Sequence, residues 1–267
     1  MIDISKSSPI ITITSLLVVY AGPISIFFLY IYKKPQLIAI LLISSLSSLF
    51  GLILTAIIWR VAANVIHIGY FALFGTFIQE CCRYYLIHSI YRKIEISYHK
   101  SFTSMSNLSC NRKEIFTLDD ESSSMAAGLG FGLMKSFLIF GNIITKHINS
   151  SKSSASLHMF DNSPYISNIL GIAIVTILFF LLDFILMPIA FYAEKNGKNI
   201  IICMVFLLRL LSTTSMFFNH IENGLYISLG LLLSILLLSV FLLLKLYPEI
   251  TKKTFMPKNE NLSHVVR

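Results

Sequence analysis

Seven stretches of this chain are apolar over about the 20 residues a helix needs to cross the hydrocarbon of a bilayer. They are residues 9–32, 36–59, 65–91, 123–148, 166–192, 199–219 and 225–246. Leu, Ile and Phe run together in them without the period-two alternation of a membrane β-strand. Within lipid only helices and closed barrels satisfy their backbone groups. The pattern therefore predicts an all-α, polytopic membrane protein, a single domain of seven transmembrane helices over residues 1–267. The last stretch is the cleanest, with no charge from Leu225 to Leu244, whereas the third to sixth all carry charge. The first continues through Gly22-Pro23 to Tyr32. That is too long for a cleaved signal peptide and reads as a first span, with Pro23 expected to kink it.

The basic residues between the spans set the orientation. With the N-terminus outside, the inner segments hold Lys33, Lys34, Arg92, Lys93, Lys100, Arg112, Lys113, Lys195, Lys198, Lys245, Lys252, Lys253, Lys258 and Arg267. The outer segments hold only Lys6, Arg60, Lys146 and Lys152. This bias predicts a lumenal or extracellular N-terminus and a cytosolic C-terminus, with a cytosolic loop at 94–122 and a cytosolic tail at 247–267. The formal net charge of +8 is then a topology signal, and no nucleic-acid partner is expected.

Composition agrees. Charged residues make up 13% of the chain and the AVILMFWYC set 55%, against the ~25% charge usual in soluble domains. The mean hydropathy is +0.77. Soluble enzymes, disordered chains and disulfide scaffolds are excluded. Cys81, Cys82 and Cys203 fall within spans and Cys110 in the inner loop, so free thiols are expected. Asp119, Asp120 and Glu121 precede the fourth span, where acidic groups suit a helix N-terminus; they read as capping residues rather than metal ligands. Asn149-Ser150-Ser151 is a glycosylation sequon on the outer side.

Catalytic signatures are missing. There is no H-E-x-x-H zinc motif and no Gly-x-Ser-Gly element with a membrane histidine. Asp183 is the one aspartate well inside a span, so an aspartyl dyad cannot be built. No catalytic residue, metal or cofactor is expected. Nor does the chain carry the acidic-Arg-Tyr triplet or Asn-Pro-x-x-Tyr of a G-protein-coupled receptor, and no internal repeat suggests a transporter. A seven-span receptor or transporter with embedded charges along a ligand or ion path is the alternative the residues leave open.

Charges at mid-bilayer cost roughly 2.5–3.5 kcal/mol each on insertion scales, so Glu80, Arg83, Lys135, Asp183 and Arg209 need partners. Asp183 and Arg209 lie on either side of the short turn near Glu194–Lys198. Both fall roughly 13–15 Å from the membrane boundary at 1.5 Å per residue, and an interhelical ion pair is predicted. Gln79, Glu80 and Arg83 form a second group. Glu80 can meet Arg83 three residues on or reach Lys135 on the next span, and the residues do not decide between them. Gly128, Gly132 and Ser136 form a small-xxx-small series that lets two helices approach closely. Gly130 adds to the series, and Lys135 borders the same face.

In combination these motifs resemble one family. Gln79-Glu80-x-x-Arg83-Tyr84, Gly128-Leu129-Gly130-Phe131-Gly132, Ser136-x-x-x-x-Gly141-Asn142 and Ser163-Pro164-Tyr165 look like the anterior-pharynx-defective family, the scaffold subunit of γ-secretase. The resemblance runs from Gly22-Pro23 through Pro35 and Trp59 to the seventh span. It implies seven spans with a lumenal N-terminus, and a non-catalytic role in assembly with presenilin, nicastrin and the presenilin enhancer subunit. The complex so formed cleaves type I membrane proteins such as Notch and amyloid precursor protein in the endoplasmic reticulum, Golgi, plasma membrane and endosomes. The family's assembly glycines map onto Gly128 and Gly132, with Ser136 in place of the third. Its two membrane histidines map onto Asp183 and Arg209, so this chain carries an acid–base pair there. Lys135 departs from a region the family leaves uncharged.

Overall fold

The computed structural model describes residues 9–62, 68–97, 120–150, 168–220 and 224–254. Among them every regular element is helical and there is no strand. Seven long helices succeed one another. They are α1 (Pro9–Ile26), α2 (Pro35–Ala62), α3 (Ile68–Tyr85), α4 (Asp120–Ser150), α5 (Asn168–Lys195), α6 (Asn199–Ser215) and α7 (Gly224–Thr254). Pro23 lies inside α1, which winds soon afterwards into a π turn at Phe27–Ile31. α3 does the same at Leu86–Tyr91, and α6 tightens into a 3-10 turn at Met216–His220.

Among the described residues six helices contain a stretch long and apolar enough to cross a membrane: Thr12–Ile31, Pro35–Val61, Asp120–Gly141, Ile169–Lys195, Asn199–Asn219 and Gly224–Pro248. The apolar pattern anticipates seven. α3 is the difference, because Gln79, Glu80 and Arg83 in its second half lower its mean hydropathy. It nevertheless packs in the bundle between α2 and α6. Helix ends also outrun the expected spans. Residues 92–97 remain helical, α4 begins at Asp120, and α7 runs to Thr254, so parts of segment 94–122 and of the tail at 247–267 are helix. Hydropathy reports hydrocarbon thickness and not helix length, and polar terminal turns continue past it.

Local sequence explains the connections. Lys33-Lys34 turns the chain and Pro35 opens α2, a position where its missing N–H has no helical acceptor to lose. Between α5 and α6, Gly197 takes φ +62, a left-handed conformation that favours glycine. The Lys198 N–H returns to the Ala193 carbonyl at 2.9 Å and the Gly197 N–H to Glu194 at 3.1 Å. This closure folds α6 back antiparallel to α5.

α5 is the hub, packing on α1, α4, α6 and α7, and α4 is held between α5 and α2. The apolar stretches of α4 and α5 are each 56% buried, against 17% for those of α1 and α7. The core is built accordingly from Ala126, Ala127 and Leu129 of α4 and Phe180, Leu182, Leu186 and Met187 of α5, capped by Leu37 and Leu41 of α2. Leu29, Val61, Ile200 and Leu244 face outward and stay exposed. Apolar exteriors of this kind suit solvation by lipid rather than water.

Candidate functional site

Five helices close a ring. α4 packs on α5, α5 on α6, α6 on α3, α3 on α2, and α2 back on α4. The α3–α6 contact is marked by a Thr76–Thr213 hydroxyl bond at 2.9 Å and an edge-on Phe77–Phe206 pair. The ring collects the charged residues of four different helices.

Asp183 on α5 is the centre. Its Oδ1 accepts from Arg83 Nη2 at 2.5 Å and is also paired with Arg209 Nη1. Arg83 reaches Glu80 one helical turn back, Nη1 to Oε1 at 3.1 Å, and Glu80 Oε1 lies 3.8 Å from Arg209 Nε. Arg209 Nη2 further donates to the Leu182 carbonyl at 3.3 Å. Asp183, Arg83 and Arg209 are only 1–2% exposed. Two guanidiniums therefore alternate with two carboxylates across α3, α5 and α6. The Arg83 guanidinium also lies over the Phe131 ring of α4, 4.3 Å from its centroid, so α4 is tied in by a cation–π contact.

Asp183 and Arg209 meet because the Gly197 turn fixes the register of α5 and α6, leaving both residues roughly 20 Å above it at 1.5 Å per residue. The spacing left two partners open for Glu80, and the fold selects Arg83. Lys135 instead places its ammonium 5.2 Å from the Phe179 ring centroid and forms no ion pair among the described residues. Gln79 is buried at 8% exposure beside the cluster on α3. Chemically, each carboxylate is engaged by a guanidinium. The arrangement can hold helices in register. Burying such a set costs desolvation, and removing one member leaves an uncompensated charge, typically 3–5 kcal/mol.

The small-residue series lies on the α4–α5 contact. A β-carbon on Gly128 would stand 3.1 Å from the Phe184 carbonyl oxygen and 3.0 Å from Met187 Cβ; one on Gly132 would stand 2.9 Å from Phe180 Cδ2 and 3.3 Å from Asp183 Cβ. Ser136 is buried on the same helix. Gly130 does not share this face. A β-carbon there would collide with Ser44 and the Leu41 carbonyl of α2, because two residues turn a helix by about 200°. α2 answers with hydroxyls: Ser45 Oγ donates to the Gly130 carbonyl at 3.0 Å and Ser48 Oγ to that of Phe131 at 3.3 Å. The sequence reading passes over these serines. Their signal is the run Ser44-Ser45-x-Ser47-Ser48 inside an apolar span, a polar seam of the kind that joins membrane helices.

A second polar set also escapes the sequence reading. At the Lys195 end of the bundle, Asp120 accepts from Tyr91 Oη at 2.8 Å and from the Lys195 ammonium, with Glu95 3.8 Å from the same ammonium. His88 Nδ1 and Glu194 Oε1 are 2.5 Å apart. Asp120 and Glu121 occupy the first turn of α4, as capping predicts, but Asp120 also bridges three helices. Among the described residues Cys81, Cys82 and Cys203 are free thiols, and no group of His, Cys, Asp and Glu could hold a metal ion. Asn149 falls in the last turn of α4. Asp119, Cys110, the 151–167 segment with Ser163-Pro164-Tyr165, and the chain's two ends lie outside the described residues.

The family model described as Aph-1 protein matches residues 10–248. That interval begins in α1, ends in α7 and contains the whole ring. Comparison with curated proteins gave no match.

Proposed function

This chain belongs to the Aph-1 family of γ-secretase components, and we propose that it is the non-catalytic scaffold subunit of such a complex. It assembles with presenilin, nicastrin and the presenilin enhancer subunit and stabilises them. The catalytic aspartates come from presenilin, and the assembled protease cleaves type I membrane proteins such as Notch and amyloid precursor protein within their spans. The N-terminus is lumenal, the C-terminus is cytosolic, and the complex travels from endoplasmic reticulum and Golgi to plasma membrane and endosomes. Gly128, Gly132 and Ser136 serve assembly by setting the α4–α5 pair on which partners dock.

The family match over residues 10–248 carries this reading. The ion-pair cluster supports it, because its two carboxylates are bound to guanidiniums across three helices, which suits a rigid frame better than proton transfer. Purification in mild detergent tests it. The chain is expected to bring presenilin and nicastrin with it, and its abundance to fall when either is missing. Recovery as a solitary chain with unchanged abundance would overturn the reading.

A further inference from the structure

Toward the Lys195 end of the bundle, a shallow cleft opens between α2, the π turn of α3 and α5. Its floor is the buried Ile40, Leu86 and Phe191, and its rims are the partly exposed Ile43, Ile90 and Ile94. Tyr91 also lines it, but the hydroxyl is committed to Asp120. The cleft therefore offers an occupant hydrocarbon contact and little else, as a seat for a chain lying against it. Cations stand at its polar end. Arg92 and Lys93 directly precede Ile94. Lys33 and Lys34 directly precede α2, and Ile40 follows Lys34 by roughly 9 Å of helix axis at 1.5 Å per residue. All four are exposed and form no ion pair among the described residues. The carboxylates beside the cleft, Asp120 on Tyr91 and Glu95 next to Ile94, are both engaged by Lys195. An apolar seat with unpaired positive charge at one end complements an amphiphile with an apolar chain and an anionic head.

We propose that the cleft between α2, α3 and α5 binds one anionic glycerophospholipid, with an acyl chain laid against Ile40, Leu86 and Phe191 and the head group drawn to Arg92, Lys93, Lys33 and Lys34. Charge complementarity selects this occupant. A zwitterionic lipid with the same chains fills the cleft equally well, but its own cation opposes the four basic side chains. Each Lys or Arg near the membrane surface is worth about fivefold in affinity for anionic lipid. The orientation proposed above puts the cleft in the cytosolic leaflet, where anionic lipids reside; the binding itself rests on the cleft and the cations and not on that orientation. A chain seated there covers apolar surface shared by three helices and braces the end of α3 against α2 and α5.

The test is native mass spectrometry of the full-length chain, purified in mild detergent with any subunits that accompany it. It is titrated with phosphatidylserine or with phosphatidylcholine of the same acyl chains. Phosphatidylserine is expected to be preferred by about tenfold or more, saturably, with one retained molecule that the variants lose. R92Q/K93Q is expected to lose most of the preference. Ile43→Trp, which fills the cleft and leaves the cations in place, is expected to lose the retained lipid. Equal retention of the two lipids by the natural chain would overturn the proposal, as would a preference that survives in R92Q/K93Q. A preference that survives in Ile43→Trp would reveal a diffuse basic surface and would overturn it too. Should Ile43→Trp not fold, glycerophosphoserine decides on the natural chain. Lacking the apolar contacts of the acyl chains, it is expected to leave the bound lipid in place even at about a hundredfold excess. Displacement would show a head-group site in which the cleft has no part.

Discussion

Asp183 with Arg83 and Arg209, and Asp120 with Lys195, are both contacts in which an aspartate joins basic side chains from other helices. Their surroundings differ. The first set is 1–2% exposed and sits in the middle of the ring. In the second, the Lys195 and Asp120 side chains are 43% and 34% exposed at the end of the bundle. Water and salt screen the end set, and its long side chains surrender conformational freedom to pair, so it adds at most about 1 kcal/mol. No such solvent reaches the central set, where pairing is obligatory because each member would otherwise be a bare charge. The same chemistry thus enforces register in the interior and only trims stability at the surface.

The largest expected effect comes from Asp183→Ala, which leaves Glu80 as the sole carboxylate for two buried guanidiniums. A loss of about 3–5 kcal/mol should appear as collapsed yield of folded protein on size-exclusion chromatography. The double variant Asp183→Leu with Arg209→Met should be milder than Asp183→Ala alone, because Glu80 and Arg83 remain as a balanced pair. Equal damage would show that geometry rather than charge balance governs the ring.

Gly128→Leu comes next. Its new side chain meets two Phe184 backbone atoms, which cannot turn aside, whereas a β-carbon on Gly132 first meets a Phe180 ring carbon at 2.9 Å and the Phe180 carbonyl only at 3.3 Å. Overpacking of this kind costs about 1–3 kcal/mol or more. Gly128→Leu should lower the unfolding midpoint well below that of Gly132→Ala, while protease protection shows both inserted. Ser45→Ala with Ser48→Ala removes two hydroxyl bonds between α2 and α4 and should cost about 0.6 kcal/mol for each. The smallest effect belongs to Lys195→Ala, under 1 kcal/mol and shrinking as salt is raised. A salt-independent loss there, as large as that of Asp183→Ala, would erase the contrast between the two regions.

Legibility in the sequence follows the same division. The apolar stretches give the helices because hydrocarbon thickness is a fixed ruler. The depth of Asp183 and Arg209 can be counted because only a tight glycine turn separates their helices. Arg83 as a third member cannot, since it is 100 residues from Asp183 and nothing local reports which helices close the ring. Gly128 and Gly130 look like one motif in the sequence and serve opposite contacts, because helical phase, not adjacency, assigns a face. The end set stays hidden because Tyr91, Asp120 and Lys195 lie where polar residues are ordinary and need no partner.

The ring also has a history in time. α3 is synthesised well before α5 and α6, so Arg83 enters the membrane long before Asp183 exists to receive it. Glu80, one turn away on the same helix, is available at once and can neutralise Arg83 during that interval. A contact that looks secondary in the finished fold is therefore the one open to Arg83 before its distant partner is made.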